Sequence, residues 1–332
     1  MNLKILFMGT PDIARDSLKA IYETKNEIIG VVTNPDKQKG RGMKFIYSPV
    51  KEFAIENNLK LFQPEKVKNN IEFIGMIKRM NPDLICVVAY GKILPSEILN
   101  IPRLGCINLH ASLLPKYRGA APIQWAVING DRKTGVTTMY MDVGMDTGDI
   151  IFSKEIQIGE YETTGELWDR ISNDGAELLI ETIDRIERGD APRVKQPSNF
   201  TMAPMIDKSL SKIDWKNKNV MQIKNLIRGL NPIMGAYTVI NDNKIKIWRA
   251  KIIENGEFLK NEKVLKEKGI LKHDFSLEKI EVGNIVIADS KYGLLIKAKD
   301  GIIEAQEVQG ENAKKMSASE FLRGKGSLLC KK

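Results

Sequence analysis

Cysteine and histidine are scarce in this chain, and their scarcity excludes two classes of structure. The three cysteines, Cys86, Cys106 and Cys330, are too few and too scattered for a disulfide framework. The two histidines and the lack of a Cys-x-x-Cys pair leave no ligand set with the spacing of a zinc site, so we expect no metal. No apolar run approaches the roughly 20 residues of a membrane span. We therefore expect a cytoplasmic protein with no membrane partner.

The first half of the chain alternates predicted strands and helices. Apolar strands are predicted at residues 4–8, 83–89, 105–110 and 135–141, with helical patterns between most of them. This alternation predicts a Rossmann-like α/β domain with a mainly parallel sheet over residues 1–189. Neither a Gly-x-Gly-x-x-Gly run after the first strand nor a Walker-type loop is present, so the order of elements does not imply a dinucleotide.

The pattern changes after residue 189. Residues 190–205 carry three prolines among polar residues and predict a linker. A helix at 220–230 and five short strands between 235 and 308 predict a small β-barrel of the oligonucleotide-binding (OB) kind over residues 206–332. Residues 254–281 form a charged insertion that this pattern does not place.

Positive charge is confined to the second half. The whole chain has a net charge of +9, whereas residues 1–189 sum to −1 and residues 190–332 to +10. Such asymmetry suggests a polyanionic partner. A solvated lysine-rich surface gives the same count, so charge alone leaves both interpretations open.

One of the two histidines ends the predicted strand at 105–110. Asn108 and His110 are two residues apart in this strand, so their side chains share one face while Ile107 and Leu109 point to the other. In open α/β sheets, ligands bind beyond the carboxyl ends of the strands. An amide can donate to a developing oxyanion, and an imidazole can transfer a proton near neutral pH. The pair is therefore a candidate reaction centre.

A glycine-rich loop at 142–149 follows the predicted strand at 135–141, and we expect it at the same edge of the sheet. Asp146 in this loop could orient a histidine or balance its charge. A lone aspartate in a glycine-rich turn more often serves the turn itself. Spacing alone does not decide between these roles.

Three motifs together resemble a known enzyme family. They are Phe7-Met8-Gly9-Thr10-Pro11, the run from Asn108 to Ile123, and the run from Met141 to Asp149. Asn-x-His followed by Ser-Leu-Leu-Pro resembles the folate-dependent formyltransferases. The Gly-Thr-Pro start and the Arg-Gly-Ala-Ala-Pro-Ile run narrow the resemblance to the methionyl-tRNA formyltransferases. Lys212-Ile213-Asp214-Trp215 and Asn231-Pro232 extend the resemblance over nearly the whole chain.

The resemblance implies a donor, an acceptor and residue roles. The donor is 10-formyltetrahydrofolate and the acceptor is initiator methionyl-tRNA, with no obligatory protein partner. Asn108 holds the oxyanion, His110 assists that charge or relays the proton, and Asp146 pairs with His110 and helps deprotonate the amine through water. The folate site is lined by Ser112, Leu113, Leu114 and Pro115.

The resemblance also implies tRNA contacts in both halves of the chain. The expected contacts in the polar loop at 34–47 are Lys37, Lys39, Arg41 and Lys44. Those in the barrel are Lys244, Lys246, Arg249 and Lys251. The alternatives are a solvated surface loop and a charged lid without a ligand. The insertion at 254–281 is longer than the family pattern.

Two other functions are compatible with parts of the sequence. A formyltransferase acting on a small amine, such as a nucleotide sugar or glycinamide ribonucleotide, shares the same reactive residues but does not need a second domain of charge +10. A non-catalytic RNA-binding protein built on a retired formyltransferase domain explains the basic half. The intact set of Asn108, His110 and Asp146 argues against it.

Overall fold

Two units make up the chain in the computed structural model, which describes residues 2–39, 44–326 and 329. The first unit comprises residues 1–123, 133–158 and 166–205, and the second comprises 124–132, 159–165 and 206–332. Two short segments that interrupt the first unit in sequence thus belong with the second. The functional division at residues 189 and 206 stays a prediction.

A seven-stranded sheet is the centre of the first unit. The strands of this unit, in chain order, are β1 (Lys4–Gly9), β2 (Glu27–Val32), β3 (Lys37–Lys39), β4 (Lys44–Ile46), β5 (Leu61–Phe62), β6 (Leu84–Val88), β7 (Cys106–His110), β8 (Lys133–Tyr140) and β9 (Ile150–Gln157). The order across the sheet is β5-β2-β1-β6-β7-β8-β9. Its first five members run parallel, and β8 is antiparallel to both β7 and β9. The prediction of a Rossmann-like, mainly parallel sheet is confirmed.

Helices cover this sheet, and Asn108 of β7 is the one residue of that strand that is not fully buried. The helices are α1 (Asp12–Tyr22), α2 (Pro49–Glu56), α3 (Ile71–Met80), α4 (Ser96–Leu99), α5 (Pro122–Asn129), which continues into the second unit, and α6 (Thr164–Arg188). Phe73 and Ile77 of α3 and Ile98 of α4 share a buried cluster with Cys106 at the start of β7. Asn108 and His110 lie on the same face of β7 as Cys106, farther along the strand.

Two predictions from the sequence are wrong. Residues 34–47 are not all loop, because β3 and β4 pair as an antiparallel hairpin. The loop at 142–149 does not leave β8 at the expected edge, because antiparallel pairing places Tyr140 opposite Ile107 and the Met141 N–H donates to the Cys106 carbonyl. The alternation of a strand is the same in either direction, so its own residues do not reveal which way it runs.

Residues 190–205, predicted as a linker, pack within the first unit. Val194 exchanges backbone hydrogen bonds of 2.8 and 3.0 Å with Ile150 of β9, and the Ala203 N–H donates to the Arg118 carbonyl at 2.7 Å. We call residues 194–203 the strap. Its one proline, Pro197, stands between the bonded residues, so the missing proline N–H interrupts none of these bonds.

The second unit contains an antiparallel sheet. Its elements, in chain order, are α7 (Val220–Gly229), β10 (Ala236–Ile240), β11 (Asn243–Ile253), α8 (Asn255–Glu267), β12 (Ile285–Asp289), β13 (Gly293–Lys297), β14 (Ile302–Gly310), β15 (Met316–Ser317) and α9 (Ala318–Lys325). The order is β10-β11-β14-β13-β12, with β15 paired to β14. Ile223 and Ile227 of α7 and Phe321 of α9 are buried in the core of this unit.

The insertion at 254–281 packs against the sheet of the second unit in a second apolar cluster. It folds into α8 and a short 3-10 helix, Leu277–Lys279. Phe258 and Leu265 of α8 are buried with Val286 of β12 and Leu295 of β13. The sequence pattern did not indicate these buried residues, because many of their neighbours in the insertion are charged. Within the described part of the chain, no helix is long and apolar enough to cross a membrane.

Candidate active site

The end of β7 positions a histidine with one nitrogen facing a carboxylate. His110 is buried, and its Nε2 lies 2.9 Å from the carbonyl oxygen of Tyr117. A carbonyl only accepts hydrogen bonds, so Nε2 carries the hydrogen and donates it. In the neutral imidazole, Nδ1 is then the unprotonated nitrogen, available to receive a proton.

Asp146 supplies the carboxylate. Its Oδ2 lies 3.7 Å from His110 Nδ1, a distance that fits an ion pair with a protonated histidine but is too long for a direct hydrogen bond. The same oxygen accepts the backbone N–H of Gly119 at 2.8 Å. The structure thus brings together His110 and Asp146, two of the predicted residues, although their loops leave the sheet at different edges.

Asn108, the third predicted residue, presents an unoccupied amide. It is half-buried on the same face of β7 as His110. Its side chain makes no hydrogen bond with any of residues 2–39, 44–326 and 329. An N–H donor without a protein partner is available to stabilise a developing oxyanion.

Two glycines permit the backbone to pass closely here. Gly119 has a φ of +120°, and a side-chain Cβ at this position would lie 2.8 Å from the Ala203 carbonyl oxygen. A Cβ at Gly148 would lie 1.7 Å from the Tyr140 carbonyl oxygen. Only glycine fits either position, and the first aims the N–H that holds Asp146.

The predicted folate residues serve partly to build the loop after β7. Ser112 is fully buried and its Oγ donates to the Lys116 carbonyl at 2.6 Å, while the N–H of Leu114 donates to Thr137 Oγ1 at 3.2 Å. Leu113 and Pro115 are half-buried. The assignment of these four residues to folate stays a prediction.

The sequence did not reveal several residues that support this site. Gln196 of the strap donates to the carbonyls of Asp146 and Gly148, and Thr201 Oγ1 accepts the N–H of Tyr117. A polar side chain in a proline-bearing segment has no periodicity that could mark it. The sequence feature that came closest to indicating them was Arg118 in the family motif. Its guanidinium is buried, and a buried guanidinium needs a hydrogen-bond acceptor such as Gln196.

Burial excludes the two described cysteines as nucleophiles. Cys86 and Cys106 lie on neighbouring strands of the sheet core, and desolvation raises the pKa of both thiols, that of Cys106 to about 12. A buried thiol of this kind is unreactive because the thiolate is the nucleophile. Cys330 lies outside the described residues. In the part of the chain that the structure describes, no group of three or more His, Cys, Asp or Glu side chains could hold a metal ion.

Three of the predicted tRNA residues of the first unit, Lys37, Lys39 and Lys44, belong to the strands β3 and β4. Arg41 lies outside the described residues, as do the side chains of Lys37, Lys39 and Lys44. Their role stays a prediction.

The four basic residues predicted on the second unit lie on β11, and a β-bulge places them on one face. Two-residue alternation alone would put Lys244 and Lys246 on one face and Arg249 and Lys251 on the other. The pairing of β11 with β14 shifts register between Ile247 and Arg249, which inverts the alternation. Ile245, Ile247 and Ala250 are accordingly buried, whereas the four basic side chains point away from the core.

Local contacts distinguish these four cations. Lys244 Nζ lies 3.9 Å from the centre of the Tyr237 ring, and Lys246 Nζ donates to the Met234 carbonyl at 2.7 Å. Arg249 lies 3.9 Å from a Glu307 carboxylate oxygen. Lys251 is exposed. The face combines positive charge with an aromatic ring, the combination that single-stranded nucleic acids favour.

The chain matches family models over most of its length. Residues 1–183 match the model described as "Formyl transferase", and residues 205–326 match "Formyl transferase, C-terminal domain". The methionyl-tRNA formyltransferase of Clostridioides difficile is 49% identical over 323 residues, which cover 97% of each chain. The enzyme of the same name from Clostridium novyi is 45% identical, again over 97% of each chain.

Solved structures share the fold at low identity. HypX from Aquifex aeolicus, crystallised with tetrahydrofolic acid, has a TM-score of 0.64 at 16% identity; the match covers 99% of this chain and 48% of that one. WlaRD, a sugar 3N-formyl transferase crystallised with dTDP and 5-N-formyl-THF, has a TM-score of 0.63 at 23% identity and is covered over its full length.

Proposed function

The chain belongs to the formyl transferase family, and we propose on that basis that it transfers the formyl group of 10-formyltetrahydrofolate to the α-amino group of methionine on initiator methionyl-tRNA. One observation carries the proposal: identity over nearly the whole chain to proteins named for this reaction, through both family domains. The product serves translation initiation. A cytoplasmic location and the absence of an obligatory protein partner stay predictions of the sequence.

The chemistry is an acyl transfer for which the three site residues have separate tasks. The methionine amine attacks the formyl carbon, the bond from that carbon to the folate nitrogen breaks, and the amine proton is passed on so that the folate nitrogen leaves protonated. Asn108 donates from its unused amide to the oxygen on which negative charge develops. His110 Nδ1 is the nitrogen that can take the amine proton, because Nε2 is committed to the Tyr117 carbonyl.

Asp146 completes the proton path. At 3.7 Å from Nδ1, its carboxylate stabilises the imidazolium that forms and leaves room for a water or an amine to bridge the two groups. The Gly119 N–H holds that carboxylate in place. We further propose that Ser112, Leu113, Leu114 and Pro115 form the wall of the folate site, with Leu113 and Pro115 offering the accessible surface.

We assign tRNA binding to residues 206–332 and propose that this part is a barrel of the OB kind. Short antiparallel strands with a helix inserted between β11 and β12 support that assignment, as does the net charge of +10 over residues 190–332. The basic face of β11 contacts the phosphate backbone in this proposal. The segment at 34–47, around Arg41, contacts the acceptor end in this proposal.

Charge reversal on β11 tests the proposed contact between this strand and the phosphate backbone of the tRNA. Lys244→Glu and Lys251→Glu should raise KM for tRNA, reduce the salt dependence of binding by about one counterion per lost phosphate contact, and leave KM for the folate unchanged. Lys299→Glu, at an exposed turn between β13 and β14, is the matched control. Equal losses for both substrates would mean that the second unit only supports the fold.

Formyl transfer to initiator methionyl-tRNA, with elongator methionyl-tRNA in parallel, tests the function itself. Transfer to the initiator alone supports the proposal. Transfer to a small amine such as an amino sugar nucleotide, with neither tRNA accepted, would replace it with the small-amine formyltransferase. An unchanged rate in His110→Ala would overturn any catalytic role of this site.

A further inference from the structure

The strap contacts the loop that follows β7 and the loop at 142–149 that carries Asp146. Thr201 receives the Tyr117 N–H on its Oγ1 at 2.8 Å, and its own carbonyl accepts the Arg118 N–H at 2.9 Å. The N–H of Ala203 donates to the carbonyl of the same arginine, and the Ala203 carbonyl accepts the Ala121 N–H at 3.1 Å. At its other end, Val194 pairs with Ile150, just after the loop that carries Asp146. The segment therefore joins two loops that are distant in sequence.

Gln196 is the strap residue that reaches the loop of Asp146. Its Nε2 donates to the carbonyl oxygen of Asp146 at 2.9 Å and to that of Gly148 at 2.8 Å. Its Oε1 accepts Arg118 Nε at 3.1 Å and Nη2 at 2.7 Å. The orientation of this amide is unambiguous, because a guanidinium only donates and a carbonyl only accepts. Both hydrogens and both lone pairs of the side chain are in use.

Arg118 keeps the amide in this orientation. Its side chain is 8% exposed, and one face of the guanidinium lies 4.6 Å from the centre of the Phe200 ring. Among the residues described, Gln196 is the side chain that accepts from it, and no carboxylate pairs with it. If the amide rotated away, the buried cation would lose both hydrogen bonds, so rotation is disfavoured.

Besides Gln196, the loop of Asp146 is held by the Gly119 N–H on the Asp146 carboxylate and by hydrogen bonds to Asp142 from the Gly144 N–H and the Thr147 hydroxyl. Residues 142–145 are exposed, and Val143 and Met145 are 74% and 54% exposed. Asp146 itself has a φ of +54°, in the left-handed region that few non-glycine residues adopt, although aspartate does so more readily than most. The two carbonyls that accept hydrogen bonds from Gln196 are those of Asp146 itself and of Gly148.

We propose that Gln196 is a positioning residue for Asp146, fixing the loop so that the carboxylate stays beside His110 Nδ1. The proposal rests on the proposed function, in which Asp146 stabilises the histidine during proton transfer. Misplacement of a reacting group by about 1 Å costs on the order of 100-fold in rate. Gln196 touches neither substrate in this scheme, so its loss should lower kcat and leave both KM values unchanged.

Two variants and a control test the prediction. Gln196→Met keeps the length of the side chain but removes its hydrogen bonds, and it should lower kcat about 10- to 100-fold. Gln196→Glu keeps the acceptor for Arg118 but turns an oxygen toward the two carbonyls, so kcat should fall at least as far while the ion pair preserves the fold. Gln157→Met, at an exposed position on β9, should retain the kcat and Tm of the parent protein. Gln196→Glu with unchanged kcat would overturn the proposal.

A double-mutant cycle separates positioning from general support of the fold. If Gln196 acts through Asp146, combining Gln196→Met with Asp146→Asn should be no slower than Asp146→Asn alone. Multiplicative losses would overturn the proposal, because they would mean that Gln196 acts independently of Asp146. Asp146→Asn with an unchanged kcat would instead overturn the role of Asp146 in the proposed function, a result that the cycle reports separately.

Discussion

Removing the amide of Asn108 should lower the rate of transfer strongly with little change in stability. The side chain is half-buried and has no hydrogen-bond partner among the described residues, so Asn108→Ala leaves no buried polar group unpaired. We expect a change of about 0.5 kcal/mol or less in the free energy of unfolding. The loss of one oxyanion donor should lower kcat about 100- to 1,000-fold, equivalent to about 2.7–4 kcal/mol of transition-state stabilisation.

The assay is single-turnover formyl transfer at saturating concentrations of both substrates, with thermal unfolding measured on the same samples. Asn108→Asp provides a second test at equal size, because a carboxylate oxygen replaces the donating NH2 group and repels the developing charge. It should be at least as slow as Asn108→Ala.

Asn26→Ala is the matched control. Asn26 is buried in the same unit, and its Oδ1 accepts the Leu3 N–H at 3.1 Å. Its removal should cost about 1–3 kcal/mol of stability and leave the kcat of the folded enzyme unchanged. The reasoning about Asn108 is refuted if Asn108→Ala transfers the formyl group at the parent rate. A loss of stability that accounts for the lost activity would also refute it.

Three further predictions concern stability and the loop geometry. A hydrogen bond from the Lys4 backbone N–H, and then one from Arg103, hold the pKa of Asp83 below its usual value, so this carboxylate stabilises the fold above its unfolded pKa of about 3.9. Asp83→Asn should therefore lower Tm at pH 7, and the difference should close as the pH falls through the lowered folded-state pKa. Phe321→Ala, at a side chain that is 1% exposed, should cost about 3–5 kcal/mol in urea unfolding. Gly119→Ala should lower both Tm and kcat, because φ is +120° and the new Cβ would lie 2.8 Å from a backbone carbonyl oxygen.

The sequence predicted the alternation of β7 well because that signal is local, whereas the roles of its side chains stay predictions. Alternation placed Asn108 and His110 on one face of a strand, and β7 has that arrangement. The strands of the sheet core were recognised because parallel strands buried on both faces read as continuous apolar runs. The site motif and the family resemblance rest on the same short stretches of sequence.

Errors arose where a feature depends on distant residues. The direction of β8, and hence the starting point of the loop at 142–149, follows from pairing with β7 and β9 rather than from its own residues. The bulge that brings Arg249 onto the face of Lys244 is a property of two strands together. The linker at residues 190–205 stays a prediction, because prolines mark irregular backbone without indicating the hydrogen bonds that residues 194–203 make.

The amino-acid sequence by itself determined the α/β class and the asymmetry of charge, and it predicted the reactive side chains, because each depends on composition or on neighbours a few positions away. Only the tertiary structure decided which nitrogen of His110 faces Asp146. It also decided that Gln196, 50 positions after Asp146 in the sequence, donates a hydrogen bond to the loop of that aspartate. Hydrogen bonds between distant segments depend on where the whole fold places a donor and an acceptor. No local pattern of residues encodes that placement.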